Sequence, residues 1–133
     1  MGQPLMRRLL DTNVWIDAHA GQADAGRVFA EARKVQGAWL GFSSITKVEV
    51  LGYPKLSAAD EQTLRLLLAE FEEVPILSDV IEKAVRVRQQ HNLKTPDAII
   101  AATALVQGVE LVTRNTADFK KVAGLTVLDT GSF

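Results

Sequence analysis

Met6-Arg7-Arg8-Leu9-Leu10-Asp11-Thr12-Asn13 decides the reading: a short strand-like run, Met6 to Leu10, stops on a carboxylate. The same habit recurs along the chain. A strand, Trp39 to Phe42, leads into Ile45-Thr46-Lys47-Val48-Glu49-Val50-Leu51, a helical stretch that carries Glu49 on its apolar side. Leu111-Val112-Thr113 is another strand, followed by Asn115 and by Asp118, which opens a short helix. Asp97 opens a helix that is otherwise nearly all apolar, Ala98 to Val106. Strand-like and helix-like segments alternate, which argues for an α/β fold with a mostly parallel sheet.

The remaining segments fit that frame. Ala25, Val28, Phe29 and Ala32 give a helical period over Asp24 to Val35. Ser43 or Ser44 caps the helix of Glu49, and Gly52, Tyr53 and Pro54 end it. Ser57 caps an amphipathic helix with Leu64, Leu67, Leu68 and Phe71 at helical spacing. Val74 to Leu77 reads as a strand, its proline suiting an edge or a strand start. Ser78 caps a helix to about Gln90. Thr95-Pro96-Asp97 combines a cap, a first-turn proline and a first-turn acid. Val122 to Leu128 holds the last strand. Without a repeat, a low-complexity stretch or a linker, residues 1–133 read as a single domain.

Composition bounds the function. The chain has 133 residues, 47% hydrophobic and 23% charged, which is globular rather than disordered. With no cysteine, it has no disulfide, no zinc–thiolate site and no thiol nucleophile. That fits a reducing cytoplasm, the expected localisation, and no apolar run approaches the ~20 residues of a membrane span. The net charge of −1, from 15 basic and 16 acidic residues, is not that of a protein gripping nucleic acid by charge alone. A nucleic-acid substrate would need local basic patches or metals that neutralise an acidic site.

Asp11, Glu49, Asp97 and Asp118 are the residues that carry chemistry. Ligands of an open parallel sheet bind beyond the carboxyl ends of its strands, where Asp11, Asn115 and Asp118 stand. Each acid also has an ordinary structural reading. Asp11-Thr12-Asn13 serves as a turn, Asp97 as a first-turn acid, and Asn115 with Asp118 as a capping pair. Glu49 is the hardest to explain this way. If the four converge, two carboxylates ~4 Å apart repel by roughly 4 kcal/mol at an effective dielectric near 20. Such a cluster persists only when protons or a cation relieve it. All-oxygen ligands favour Mg²⁺ or Mn²⁺ over zinc, and hard cations suit phosphoryl chemistry.

Four stretches taken together are more specific than any acid alone: Leu9-Leu10-Asp11-Thr12-Asn13-Val14, Ser44 to Val50, Thr95-Pro96-Asp97-Ala98-Ile99-Ile100-Ala101-Ala102-Thr103-Ala104, and Val112-Thr113-Arg114-Asn115-Thr116-Ala117-Asp118-Phe119. In order and wording they resemble the signatures of PIN-domain ribonucleases, closest to the VapC-type toxins of bacterial toxin–antitoxin pairs. The resemblance runs from Met6 to about Asp129. It implies a three-layer α/β/α sandwich around a five-stranded, mostly parallel sheet. It also implies a metal-dependent endoribonuclease whose Asp11, Glu49, Asp97 and Asp118 hold Mg²⁺ or Mn²⁺, leaving 5′-phosphate and 3′-hydroxyl ends. Thr12, Thr113 and Asn115 match supporting positions, and Arg114 is the residue expected on RNA phosphate or on an acid partner.

The resemblance further implies a homodimer and a small antitoxin that blocks the site, bound over the apolar faces of the Glu49 helix and the helix after it. Taken alone, Tyr53, Leu56, Leu64 and Leu68 read as ordinary core. Met1 to Leu5 look surplus: either Met6 is the natural start or the five form a flexible extension. Arg86, Arg88, His19 and His91 read as solvated surface, and Trp15 and Trp39 as core rather than base-stacking platforms. The alternative to the enzyme is a catalytically silent PIN-like module that binds RNA or protein. A phosphatase with an Asp11 nucleophile lacks the usual second acid, since Asn13 stands there.

Overall fold

The computed structural model describes residues 6–133, so the two readings of residues 1–5 lie outside the described residues. Five strands, β1 (Arg7–Leu10), β2 (Trp39–Ser43), β3 (Glu72–Val74), β4 (Glu110–Thr113) and β5 (Val127–Asp129), form one sheet. Their order is β3-β2-β1-β4-β5, and every pairing is parallel. The helices are α1 (Thr12–His19), α2 (Ala23–Lys34), α3 (Ser44–Leu51), α4 (Ala58–Ala69), α5 (Ser78–Gln90), α6 (Thr95–Gln107) and α7 (Thr116–Phe119). A 3₁₀ turn, Thr130–Ser132, follows β5. No helix among the described residues is long and apolar enough to cross a membrane.

Both faces of the sheet are covered, and the strands show it residue by residue. Leu10 and Val112 join Val14, Trp15, Val28, Phe29 and Leu64 on the side of α1, α2 and α4. Their strand neighbours Leu9 and Leu111 join Ile100, Ala101, Phe119 and Val122 on the other. Alternation within two-sided burial is what a doubly covered parallel sheet requires. The result is a three-layer α/β/α sandwich. Trp15 anchors the first face: it is fully buried, packs edge-on against Phe29, Phe42 and Phe71, and donates its indole N–H to the Leu10 carbonyl at 3.3 Å. Helix α6 is apolar nearly all round because it lies between the sheet and α5, with Ala102 packed on Val80 and Ala84. Gly108 ends it in the left-handed region at φ +66°, where a Cβ would be strained.

Several sequence expectations shift. Helix α1 was not expected at all. Asp11 accepts the Thr12 N–H and caps it, so residues that read as a turn instead begin two helical turns. The third strand lies at Glu72–Val74, ahead of Pro75 rather than through it, because a proline has no N–H to continue the ladder. Ser43, not Ser44, caps α3. Ser78 and Thr95 do not cap: Leu77 and Lys94 hold those positions, and α6 has its first turn closed by Ala98 N–H to the Lys94 carbonyl at 2.9 Å. Tyr53 is 66% exposed and so is not core, whereas Leu64 and Leu68 are buried.

Candidate active site

The register of the two central strands builds the site. Leu10 pairs with Val112, and Asp11 N–H donates to the Val112 carbonyl at 2.9 Å, so Asp11 and Thr113 end their strands side by side. From β1 the chain proceeds to β2 and β3 on one side, while β4 and β5 lie on the other. The crevice between β1 and β4 is therefore the topological switch point, where open α/β sheets bind ligands.

Asp11 is 4% exposed and held at both oxygens. Oδ1 accepts the Thr12 N–H at 2.8 Å; Oδ2 accepts the Thr113 hydroxyl at 2.7 Å and the Asn13 amide at 3.2 Å. Thr113 is oriented in turn by accepting the Asn115 N–H at 2.9 Å. Thr12 donates to Glu49 Oε1 at 2.8 Å. Its one hydroxyl proton is thereby committed, so the buried Thr46 hydroxyl, 3.0 Å away, donates to it. Asn115 donates to Asp118 Oδ2 at 2.8 Å; the pair is a side-chain contact rather than the expected cap, for Asn115 makes no capping bond. Thr12 thus touches Asp11 and Glu49, Thr113 touches Asp11, and Asn115 touches Asp118.

Glu49 corrects an expectation. Its helix buries Thr46 and Val50, while Glu49 itself is exposed at the rim, not on the apolar side. Asp97 stands half-buried in the first turn of α6. The electrostatics tie the four acids together. Burial raises the Asp11 carboxyl from 3.8 to about 6; hydrogen bonds from Thr113 and Thr12 oppose that, and the charges of Asp97 and Glu49 add to it. Asp97 is raised by burial and then by Glu49 and Asp118, against the pull of Lys94. Repulsion therefore runs through the whole set.

Among the described residues no three such side chains stand in a ready-made arrangement to hold a metal ion. Four mutually repelling carboxylates are expected to stand apart without a counter-charge. The donor chemistry nonetheless fits a hard divalent cation. All the ligands are oxygens, and the carboxylates are strained first by burial and then by one another's charge, both of which such an ion would offset.

Three contributors escaped the sequence reading. Asn13 bridges Asp11 to the backbone of Arg114, whose N–H donates to Asn13 Oδ1 at 3.3 Å. Thr46 stands behind Thr12, and a polar residue on the inner face of α3 was the available signal. Asp17, one turn beyond Asn13, pairs with Arg114, Nε to Oδ2 at 2.9 Å. Arg114 thus has an acid partner, though not one of the four.

Residues 8–125 match the family model described as PIN domain. Over 45 residues the chain is 44% identical to a protein described as ribonuclease VapC1 of Rickettsia felis; that match spans 34% of this chain and only 34% of the relative's length. A solved toxin–antitoxin complex from Klebsiella pneumoniae contains a chain 37% identical, with a TM-score of 0.78 over 92% of this chain and 97% of that one. VapBC2 from Rickettsia felis, solved bound to a DNA fragment from its promoter, superposes with a TM-score of 0.82 over 93% and 98% of the two chains; at 20% identity this speaks for the fold alone.

Proposed function

The chain belongs to the PIN-domain family, and on that premise we propose that it is a divalent-cation-dependent endoribonuclease, the VapC-type toxin of a toxin–antitoxin pair. Asp11, Glu49, Asp97 and Asp118 are the residues that would hold Mg²⁺ or Mn²⁺. When bound, the cation supplies charge stabilisation at the phosphate and acidifies a water for in-line attack. The observation that carries this reading is the linkage of all four acids at the switch point, with Asp11 and Asp97 both raised chiefly by burial and further by their neighbours' charge. A site retired from metal binding has no physical reason to keep that repulsion.

The surrounding residues orient. Thr113, Thr12 and Asn13 fix Asp11, so it meets a cation without searching rotamers. Thr12 restrains the otherwise exposed Glu49, and Asn115 restrains Asp118. Arg114, at the mouth, is the RNA-binding cation.

Two surfaces support the partner readings. A mostly apolar groove of about 240 Å³, lined by Ile16, Ala20, Val50, Tyr53, Leu56 and Leu64 together with the His19–Asp60 pair, runs between α1, α3 and α4. It suits an apolar segment of an antitoxin beside the helix of Glu49. From the cap residue Leu77 along α5, Leu77, Ile81 and Val85 expose an apolar stripe at four-residue spacing, which we assign to a second copy of the chain.

Purified chain free of other protein, incubated with single-stranded RNA and Mn²⁺, tests the enzyme. Cleavage abolished by EDTA and by Asp97→Asn, with 5′-phosphate and 3′-hydroxyl ends, is expected. RNA binding without cleavage would replace the enzyme with the silent module.

A further inference from the structure

We propose that Asp17 is a positioning residue that fixes Arg114 as a phosphate clamp at the mouth of the carboxylate site; this rests on the ribonuclease reading above. Asp17 lies on α1, and its side chain is only 19% exposed, whereas that of Arg114 is 64% exposed. Their closest approach is made by Nε, at 2.9 Å. The guanidinium is a planar fork, and a partner at Nε leaves its two-pronged Nη end for an incoming anion. Phosphate matches that end in shape and charge.

The backbone under the clamp is held as well. Asn13, on the same face of α1 one turn before Asp17, accepts the Arg114 N–H at 3.3 Å. The same Asn13 amide donates to Asp11 Oδ2 at 3.2 Å and reaches Thr113 Oγ1 at 3.4 Å. One helical turn, Asn13 to Asp17, therefore ties the position of the cation to the position of the buried carboxylate. With Arg114 largely in solvent, the pair contributes little to stability, so stability is a poor account of a carboxylate kept this close to an acidic centre. Charge alone also argues against it: Asp17 adds one more negative group beside a site meant for a polyanion. The pair makes sense if orientation of Arg114 outweighs that repulsion.

The two accounts predict opposite signs. If Asp17 acts only through its charge, Asp17→Asn tightens RNA binding. If it positions Arg114, the same substitution weakens binding. A labelled single-stranded RNA, titrated in EDTA over a range of salt from low ionic strength upward, separates them without turnover. Arg114→Ala should weaken affinity about tenfold and flatten the log–log salt slope by about 0.7, the value for one lost phosphate contact on a single strand. Asp17→Asn should shift both in the same direction, and in the Arg114→Ala background it should add nothing.

Binding by Asp17→Asn as tight as wild type or tighter, or an effect that persists without Arg114, overturns the proposal. So does a wild-type chain that cuts RNA with Mn²⁺ while Arg114→Ala leaves affinity unchanged; the ribonuclease reading then stands. A wild-type chain that neither binds nor cuts RNA removes both.

Discussion

Thr113 donates its hydroxyl proton to Asp11 Oδ2 at 2.7 Å, from the end of β4 to the end of β1. Both residues are buried, so the bond is made away from water. Replacing Thr113 by Val keeps the shape but leaves the carboxylate short of a donor and the Asn115 N–H short of its acceptor. A hydrogen bond to a charged group is worth about 1.5–3 kcal/mol. We expect Thr113→Val to lose about 2 kcal/mol of unfolding free energy at neutral pH. The deficit should narrow near pH 5, where Asp11 is mostly protonated. Urea denaturation measures both; a Val variant as stable as wild type at neutral pH would show the bond to be idle.

The titration of Asp11 carries a second expectation. A carboxyl whose folded pKa lies above its unfolded value binds protons better when folded. Its contribution to stability is therefore present below pH 3.8 and is lost as pH rises through about 6. That interval corresponds to about 3 kcal/mol, and Asp97, raised as well, acts in the same direction. In EDTA the protein should be less stable at pH 7.5 than at pH 5. Asp11→Asn should flatten the profile. Its amide oxygen still caps α1, but its NH₂ takes the place of the oxygen that accepts from Thr113 and Asn13, so the variant should lose the pH slope without gaining stability at pH 7.5. Stability that instead climbs from pH 5 to pH 7.5 in wild type, and identically in Asp11→Asn, would contradict the raised carboxyl.

A bound cation should reverse that penalty. Ligand at a hundredfold over its Kd adds about 2.7 kcal/mol to the folded state, roughly 10 °C in Tm for a domain of this size. Mg²⁺ or Mn²⁺ should raise Tm more at pH 7.5 than at pH 5.5, since protons compete for Asp11. Asp97→Asn should leave the EDTA Tm equal or higher and abolish most of the cation-induced rise. A fall in EDTA Tm with an intact metal response would mean that Asp97 serves the helix rather than the ion.

Much of this arrangement is legible in the residues, for reasons that differ by element. The strands ending at Leu10 and Thr113, and the apolar helix after Asp97, follow from local pattern, and their parallel pairing from alternation. Which acids face one another is a matter of register, Leu10 against Val112, and no single stretch contains it. Helix α1 escaped because Asp11-Thr12-Asn13 signals a turn and a helix cap in the same letters. Glu49 misled because Ile45 and Tyr53 beside it suggested burial, whereas α3 turns Thr46 and Val50 inward. Asp17 was silent: its role depends on Arg114, 97 positions away in sequence and adjacent only once β1 and β4 pair.

The exposed stripe from the cap residue Leu77 along α5 bears on assembly. Leu77, Ile81 and Val85 are 60%, 49% and 43% exposed, while Val80, Ala84 and Val87 on the same helix are buried inward. The helix thus has a second apolar face that the chain's own core does not use. Its charges are also segregated along its length, with Asp79 and Glu82 towards the start and Arg86 and Arg88 towards the end. Two copies crossing antiparallel would bury both stripes and bring acidic ends to basic ends. We expect light scattering at tens of micromolar to give the mass of two chains. Ile81→Glu, an exposed change that alters monomer stability by no more than about 0.5 kcal/mol, should give the mass of one. A wild-type monomer at that concentration, or an Ile81→Glu dimer, would assign the stripe to something other than a second copy.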